Sequence, residues 1–483
     1  MCRKRPRGSR LPRRTALSRT PRDEVISRGK MARSMTPFAT KTLSRYHTSA
    51  TDNRSRGRQP GMALATTSPQ SGSQSAHSED APRDPRRAFP VALLAFLVAL
   101  FFLNIVSRLS VGPLLPVIER EFGLRHGGAG SLYFFLTVGS CLGLYLSGHV
   151  AWRLSHRATI AVSGITLGAA LLAIAGTPTL FWIRAELLVL GMGAGLYLPS
   201  GVAVLTENTR ESSWGTALAI HELGPNLGYI CAPLLAELLL GFFAWQGVLG
   251  ALGVPAILLS GAFLLSGMGG TSRAHRPSGA TIARLVRHRS FWGVACLFAV
   301  SIGLGLGLYT MMPLFLVSEV GMDRLPANLI TGLSRISGLF SVFLAGALAD
   351  RIGRRRTVML SLTAAGSCAV LLGLLRGPWI TPALIFLQSA FAASFYPAGF
   401  SLLSSVFPVP VRNVAVSMVL IFATLIGAGA VPPLIGFLAD TVSFSFAFGV
   451  AGAATLASLM LLGRFPLRGA IRSADDEEKR ASR

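Results

Sequence analysis

The sequence predicts an all-α membrane protein, with twelve transmembrane helices arranged as two pseudo-symmetric six-helix bundles. Three observations carry this. Of 483 residues, 51% are hydrophobic and 14% are charged, a balance well to the apolar side of a soluble chain. Between residues 89 and 464 the apolar residues gather into twelve runs, each of roughly 20 to 28 residues and so able to cross a hydrocarbon core of about 30 Å. Landmarks in the first six runs recur about 200 residues later in the last six, the trace of a duplicated unit.

Each helix has its own justification. Helix α1 (89–111) ends in Asn104-Ile-Val-Ser107-Arg108, which puts Arg108 near its outer end. Helix α2 (128–150) carries Gly139 and Gly143, and α3 (158–177) carries Gly164 and Gly168, spacings that let membrane helices approach closely. Helix α4 (179–205) has Arg184 and Glu186 near its outer end, then Gly191-Met-Gly193-Ala-Gly195 and Tyr197-Leu-Pro199-Ser-Gly201. Helix α5 (214–241) carries His221, Glu222, Ala232-Pro233 and, near its outer end, Glu237; α6 (244–267) closes the first half. Helix α7 (290–318) contains Gly303-Leu-Gly305-Leu-Gly307 and Tyr309. Helix α8 (326–349) contains Asn328 and Arg335, the latter about nine residues in and so roughly 13 Å deep. Helices α9 (357–376), α10 (380–406, with Gln388 and Tyr396-Pro397), α11 (411–438, with Pro432-Pro433) and α12 (443–464) complete the second half.

The repeat is visible in matched landmarks. Gly123 corresponds to Gly321, Gly148 to Gly346, the Tyr197–Pro199 turn of α4 to Tyr396-Pro397 of α10, and Ala232-Pro233 to Pro432-Pro433. The expected organisation is a basic, disordered tail (1–88), a first bundle (89–267), a linker (268–289), a second bundle (290–464) and a C-terminal tail (465–483). Residues 282–289, with Arg284, Arg287 and Arg289, read as a short amphipathic helix on the membrane surface.

Charge sets orientation. Arg153, Arg157, the linker arginines, Arg351 to Arg356 and Arg464 to Arg472 fall on one side, whereas Glu119, Glu121, Glu319, Asp323 and Asp440 mark the other. By the positive-inside rule the arginine side and both termini are cytoplasmic, in a cell (inner/plasma) membrane. The formal net charge of +25 does not point to nucleic acid, because the basic N-terminal tail lacks interleaved aromatics or a binding motif. That tail has no signal-peptide core, and its acids Asp23, Glu24 and Asp52 argue against an organellar transit peptide. Disorder, or translation from Met31, Met35 or Met62, accounts for it. The five scattered cysteines lack metal or disulfide spacing. The glycine triplets of α4 and α7 superficially resemble nucleotide loops but lie inside apolar runs rather than after strands, so helix packing or bending explains them. With no nucleophile elbow, metal-binding histidine motif or phosphate loop, the sequence is not that of an enzyme and implies no metal or cofactor.

The connector Gly346-Ala-Leu-Ala-Asp350-Arg351-Ile-Gly353-Arg354-Arg355-Arg356 turns an apolar helix abruptly into a cationic, glycine-bent loop. It resembles the signature loop between helices 8 and 9 of the major facilitator superfamily of secondary transporters. A degraded copy, Gly148-His-Val-Ala-Trp152-Arg153-Leu-Ser155-His156-Arg157, stands in the first half with tryptophan in place of the acid. The resemblance implies alternating access about a midplane site. It also implies a conformational latch of Asp350, Arg351, Gly353, Arg354 and Arg355, with Asp350 against the start of α5 at Trp214-Gly215. Asn104 to Ser110 resembles the end of helix 1 in the family's anion–cation symporters, where an acid commonly precedes the arginine; Ser107 stands there instead. Helix α4 has Leu187 where those relatives carry an arginine, and Arg184 one turn earlier. Gly224-Pro225-Asn226-Leu-Gly228 is part of a pattern associated with antiporters. Helix α2 lacks the arginine of nitrate carriers.

Charged residues inside a membrane are costly, about 2.5–3.5 kcal/mol each near the centre, so they mark candidate sites. The substrate-binding or proton-coupling candidates are Arg108, Arg184, Glu186, His221, Glu222 and Arg335, joined by Tyr309, Gln388 and Tyr396. Two arrangements are expected. Glu222 or His221 pairs with Arg335 across the halves in one conformation, either as a switch or as a permanent ion pair, and Arg108 meets Arg184 and Glu186 in an outer cationic vestibule or snorkels locally. Glu237 is expected to be interfacial, while Asn226, Asn328 and Gln388 are hydrogen-bonding groups of unassigned direction. The functional expectation is a monomeric, proton-driven symporter of a small organic anion. The alternatives are a proton-coupled exporter of amphipathic compounds, with Tyr197, Tyr309 and Tyr396 lining its cavity, and a nontransporting membrane sensor or scaffold.

Overall fold

The computed structural model describes the backbone of residues 90–274, 285–407 and 409–462, and all regular structure among them is helical. The expectations for both tails, and for most of the linker and its amphipathic helix, fall outside these residues. Among the described residues, eleven helices are long and apolar enough to cross a membrane. They are α1 Val91–Phe122, α2 His126–Arg153, α3 His156–Gly176, α4 Leu180–Asn208, α5 Glu211–Leu240, α6 Trp245–Leu265, α7 Arg289–Ser318, α8 Arg324–Ile352, α9 Arg354–Leu374, α10 Ile380–Val406 and α11 Val414–Thr441. Helix α12, Phe444–Leu462, supplies a shorter apolar stretch.

The halves repeat each other in packing as well as in sequence. In the first, α1 packs on α5, α2 and α3 on α4, and α3 on α6; in the second, α7 packs on α11, α8 and α9 on α10, and α9 on α12. Each pair returns with its helix numbers raised by six. Between halves, α2 meets α11, α5 meets α8 and α1 meets α7, contacts that the same two-fold relation exchanges or preserves. Glycine makes the tightest of these contacts possible. A side chain at Gly139 or Gly143 would overlap the carbonyl oxygens of Leu188 and Met192, and one at Gly191 that of Leu136, so α2 and α4 touch backbone to backbone.

Helix α1 differs from expectation in a way that matters. Its apolar run reads as ending at 111, before Gly112, Pro113 and Pro116, yet the helix bends at Ser110 and continues to Phe122 with Pro116 inside it. Neighbouring helices tolerate the backbone groups that proline frees, and Val111, Leu114, Leu115 and Ile118 anchor this second segment in the core. Arg108 therefore lies near the middle of a 32-residue helix, not at its outer end.

Three further interruptions shape the centre. Helix α5 breaks at Glu222, three residues before Pro225, whose ring cannot follow the carbonyl four residues back. Helix α7 is π-helical over Gly303–Gly307 and α11 over Leu425–Ala430, and the two wide turns pack together where a side chain on Gly427 would sit 2.6 Å from the Ala299 carbonyl oxygen.

Candidate functional site

Contacts between the halves concentrate at the end opposite the arginine-rich connectors. There Asp440, at the end of α11, accepts hydrogen bonds from the backbone N–H groups of His126 (2.8 Å) and Gly127 (2.9 Å). These are the first residues of α2, so a carboxylate of one half caps the positive helix terminus of the other. On the pseudo-symmetric side, Glu237 near the end of α5 accepts from Arg324 Nε (3.0 Å) and Asn328 Nδ2 (2.8 Å) in the first turns of α8. Glu119 holds the His126 ring, Glu121 accepts from Trp245 and Gln246, and Glu319 accepts from Arg376 and the first N–H groups of α12. Of the acids that marked this side in the sequence, Glu119, Glu121, Glu319 and Asp440 are thus caps and clamps, whereas Asp323 makes no side-chain cap bond.

At the other end the arrangement is open. Asp350, Arg351, Gly353, Arg354 and Arg355 are all exposed. A side chain built at Gly215, Gly346 or Gly353 would meet nothing within 4 Å. The Trp214 indole donates within its own half, to the Thr206 and Thr209 carbonyls. In this conformation Asp350 does not engage the start of α5. The glycine bend itself is as read: Gly353 ends α8 at a φ of 90°, in the left-handed region that favours glycine.

Midway between these ends lies a cationic, tyrosine-lined centre. The Arg335 guanidinium stacks 3.9 Å from the Tyr309 ring centroid and 5.4 Å from that of Tyr229, and Nη2 donates to the Gly305 carbonyl. The π-helical turn of α7 presents that carbonyl, and the next one back, Leu304, accepts from Gln388 Nε2 at 2.8 Å. Tyr309 in turn donates from its hydroxyl to the Tyr229 carbonyl at 2.6 Å, tying α7 to α5 across the halves. Arg335 Nε is buried with no partner. Arg108, on α1, shares Tyr229 with Arg335 as an electrostatic neighbour; its others are Tyr133 and Cys141, and those of Arg335 are Tyr309 and Tyr396. None is a carboxylate. Among the described residues, Arg108 and Arg335 form no ion pair.

Two expected constellations are therefore replaced. Arg335 does not pair with Glu222 or His221 here. Glu222 precedes Tyr229 by seven residues, which puts it on the same face of α5 but about 10 Å nearer the arginine end. Arg108 does not join Arg184 and Glu186. Arg184 lies over the Phe135 ring and donates weakly to Ser131 (3.4 Å), and Glu186 accepts from Thr177 (2.6 Å); both are local contacts of the first half. Extending α1 past its prolines carried Arg108 inward, away from them. Tyr197 does not line the opening either: it is 2% exposed and its hydroxyl donates to the Leu97 carbonyl (2.7 Å). His221 lies fully buried beside it, Nε2 at 3.0 Å from that hydroxyl. Asn226 bonds back to the Glu222 carbonyl.

Tyr229, Tyr133, Asp440 and Arg324 belong to this machinery but were not singled out as site residues in the sequence. The pseudo-repeat offers a signal for Asp440, since it follows Glu237 by about the repeat length. The tyrosines gave none, being indistinguishable from aromatic packing residues.

Residues 97–342 and 308–482 match the family profile described as Major Facilitator Superfamily. The chain is similar to the cis,cis-muconate transport protein of Acinetobacter baylyi, 24% identical over 76% of this chain and 91% of that one. It is also similar to a probable 4-methylmuconolactone transporter of Cupriavidus pinatubonensis, 28% identical over 72% of this chain and 85% of that one. Similarity to the 4-hydroxybenzoate transporter PcaK of Pseudomonas aeruginosa, at 24% identity, spans 33% of this chain and 35% of that protein. Among solved structures, the nucleoside transporter NupG (D323A mutant) superposes with a TM-score of 0.67 at 16% identity, covering 77% of this chain and 99% of that one. At such identity the likeness is one of fold.

Proposed function

We propose, for a chain that belongs to the Major Facilitator Superfamily of secondary transporters, that its cargo is a small organic anion moved together with protons by alternating access. The observation that carries this is the pair Arg108 and Arg335, brought from two halves to one centre with tyrosines and no carboxylate around them. A guanidinium removed from water without a counter-ion is costly, and a carboxylate entering between the two relieves that cost. The tyrosine faces suit a flat, conjugated carbon skeleton. The relatives named for muconate and 4-hydroxybenzoate transport support the same chemical class. Gly224 and Gly228 of the antiporter-like pattern pack against Val98, Phe102 and Ile105 of α1, so close helix packing accounts for them.

In this reading the arginine-rich end faces the cytoplasm, as the positive-inside rule requires, and the structure is the inward-open state, shut outside by Asp440, Glu237 and the Tyr309–Tyr229 hydrogen bond. The latch of Asp350 with its arginines closes the opposite end in the outward-open state, at the start of α5. The test is uptake of radiolabelled cis,cis-muconate and 4-hydroxybenzoate into proteoliposomes under an imposed inward proton gradient. Accumulation that Arg108→Gln and Arg335→Gln each abolish is expected. Accumulation unaffected by either substitution overturns the assignment of the site.

A further inference from the structure

His221 is the least expected polar group in the first half. Its side chain is 0% exposed and lies beside Tyr197 of α4 (centroids 5.9 Å apart, planes 6° apart), with the Phe101 ring of α1 stacked over both at 4.9 Å from His221 and 5.0 Å from Tyr197. The direction of its proton follows from its neighbours. The Tyr197 hydroxyl has one hydrogen, and the Leu97 carbonyl at 2.7 Å, which can only accept, takes it. The 3.0 Å contact between that hydroxyl and His221 Nε2 must then be donated by the ring, so neutral His221 carries its proton on Nε2. Nδ1 is left with a bare lone pair, buried and without a hydrogen-bond partner, an arrangement that native interiors avoid unless something fills it.

The nearest group able to fill it is Glu222, whose Oε1 lies 3.9 Å from Nδ1. Its side chain is 55% exposed. It sits on the same face of α5 as Tyr229, two turns toward the open end, and is exposed rather than part of the core. A carboxylate there presents a second lone pair to Nδ1 and satisfies nothing. A protonated carboxyl, once rotation of the exposed side chain closes the gap by about 1 Å, donates O–H to Nδ1 and completes the chain from Glu222 through His221 and Tyr197 to the Leu97 backbone. The other groups packed on His221 cannot take this part: α1 offers the Phe101 ring and α4 the Tyr197 phenol, and among the described residues no other charged side chain reaches the imidazole.

We propose that Glu222 and His221 form the proton-binding element of this transporter, a proton from the cleft being taken onto the Glu222 carboxylate and held by hydrogen bonding to Nδ1, with Tyr197 as the positioning residue that fixes the tautomer. This rests on the proton-coupled reading above but not on the identity of the cargo. It also separates two tasks that the sequence had assigned to one ion pair, because Arg335 holds the anion site and Glu222, two turns of α5 from Tyr229, holds the proton.

The test uses full-length protein in phosphatidylethanolamine–phosphatidylglycerol vesicles with 15N-labelled histidine, the proton being the only ligand. The wild type is expected to show His221 as the Nε2–H tautomer. Its Nδ1 signal should move on acidification as the Glu222 hydrogen bond forms, and Glu222→Gln should abolish that movement. Tyr197→Phe removes the Nε2 acceptor and should shift the tautomer ratio toward Nδ1–H by about 2- to 12-fold, the worth of one neutral hydrogen bond. An Nδ1 signal that does not move with pH in the wild type, or moves unchanged in Glu222→Gln, overturns the proposal, as does an unchanged tautomer ratio in Tyr197→Phe. In the same vesicles Glu222→Gln should keep muconate counterflow and lose proton-driven accumulation. If the wild type carries neither muconate nor 4-hydroxybenzoate, the cargo reading fails while the nitrogen spectra still decide the proton site.

Discussion

Replacing Arg335 by glutamine is the most direct probe of the anion site, and the structure sets its size. A carboxylate taking the free face of a guanidinium about 4 Å away gains about 4 kcal/mol at an effective dielectric constant near 20. Stripping water from the carboxylate offsets part of this, leaving about 2–3 kcal/mol, or about 30- to 150-fold in affinity. Glutamine keeps a donor for the Gly305 carbonyl, so the fold should survive. Arg335→Lys keeps the charge but loses the planar fork that can hold a carboxylate by two hydrogen bonds, and with one charged hydrogen bond worth about 2 kcal/mol it should bind about 30-fold more weakly than wild type. Equilibrium binding of labelled muconate to the purified protein, with scintillation counting, measures both. If Arg335→Gln binds within twofold of wild type, or if lysine restores full affinity, the stacked guanidinium is not the anion's partner.

The remaining predictions concern state and packing. Asp440→Asn removes the charge facing the N-terminus of α2, worth about 0.3–2 kcal/mol in a partly buried site, so labelling of a cysteine at the buried outer position Ile435, in a cysteine-free background, should rise about 2- to 30-fold; unchanged labelling would remove Asp440 from the outer clamp. Asp350→Asn removes the proposed latch of the opposite state, worth about 0.3–1 kcal/mol at a helix terminus. Labelling of Asn226→Cys in the cleft should then rise about 2- to 5-fold, and no change would count against the latch. Gly191→Ala forces its new methyl onto the Leu136 carbonyl oxygen, whereas Gly261→Ala meets open space. The first should lower the detergent-solubilised melting temperature by a penalty of about 1–3 kcal/mol or more, and the second should leave it unchanged.

The sequence by itself determined the fold class, because bilayer thickness and the cost of unpaired backbone groups in lipid reduce a long apolar run to one local structure. The duplication was legible for the same reason, since Pro199 and Tyr396-Pro397 or Gly148 and Gly346 mark points where every copy must bend or stop. Tertiary structure decided which charges meet. Depth along a helix can be counted from its ends only if the ends are known, and Pro113 and Pro116 concealed eleven further residues of α1 (112–122), which moved Arg108 from the rim to the centre. The break of α5 at Glu222 and the π-helical turn at Gly303–Gly307 likewise rotate and lift side chains in ways that periodicity does not encode. Arg335 thus faces a bare carbonyl and two tyrosines rather than a carboxylate. The tautomer of His221 lay furthest from the sequence, because it depends on a carbonyl of α1 taking the hydrogen of an α4 phenol that meets a ring of α5.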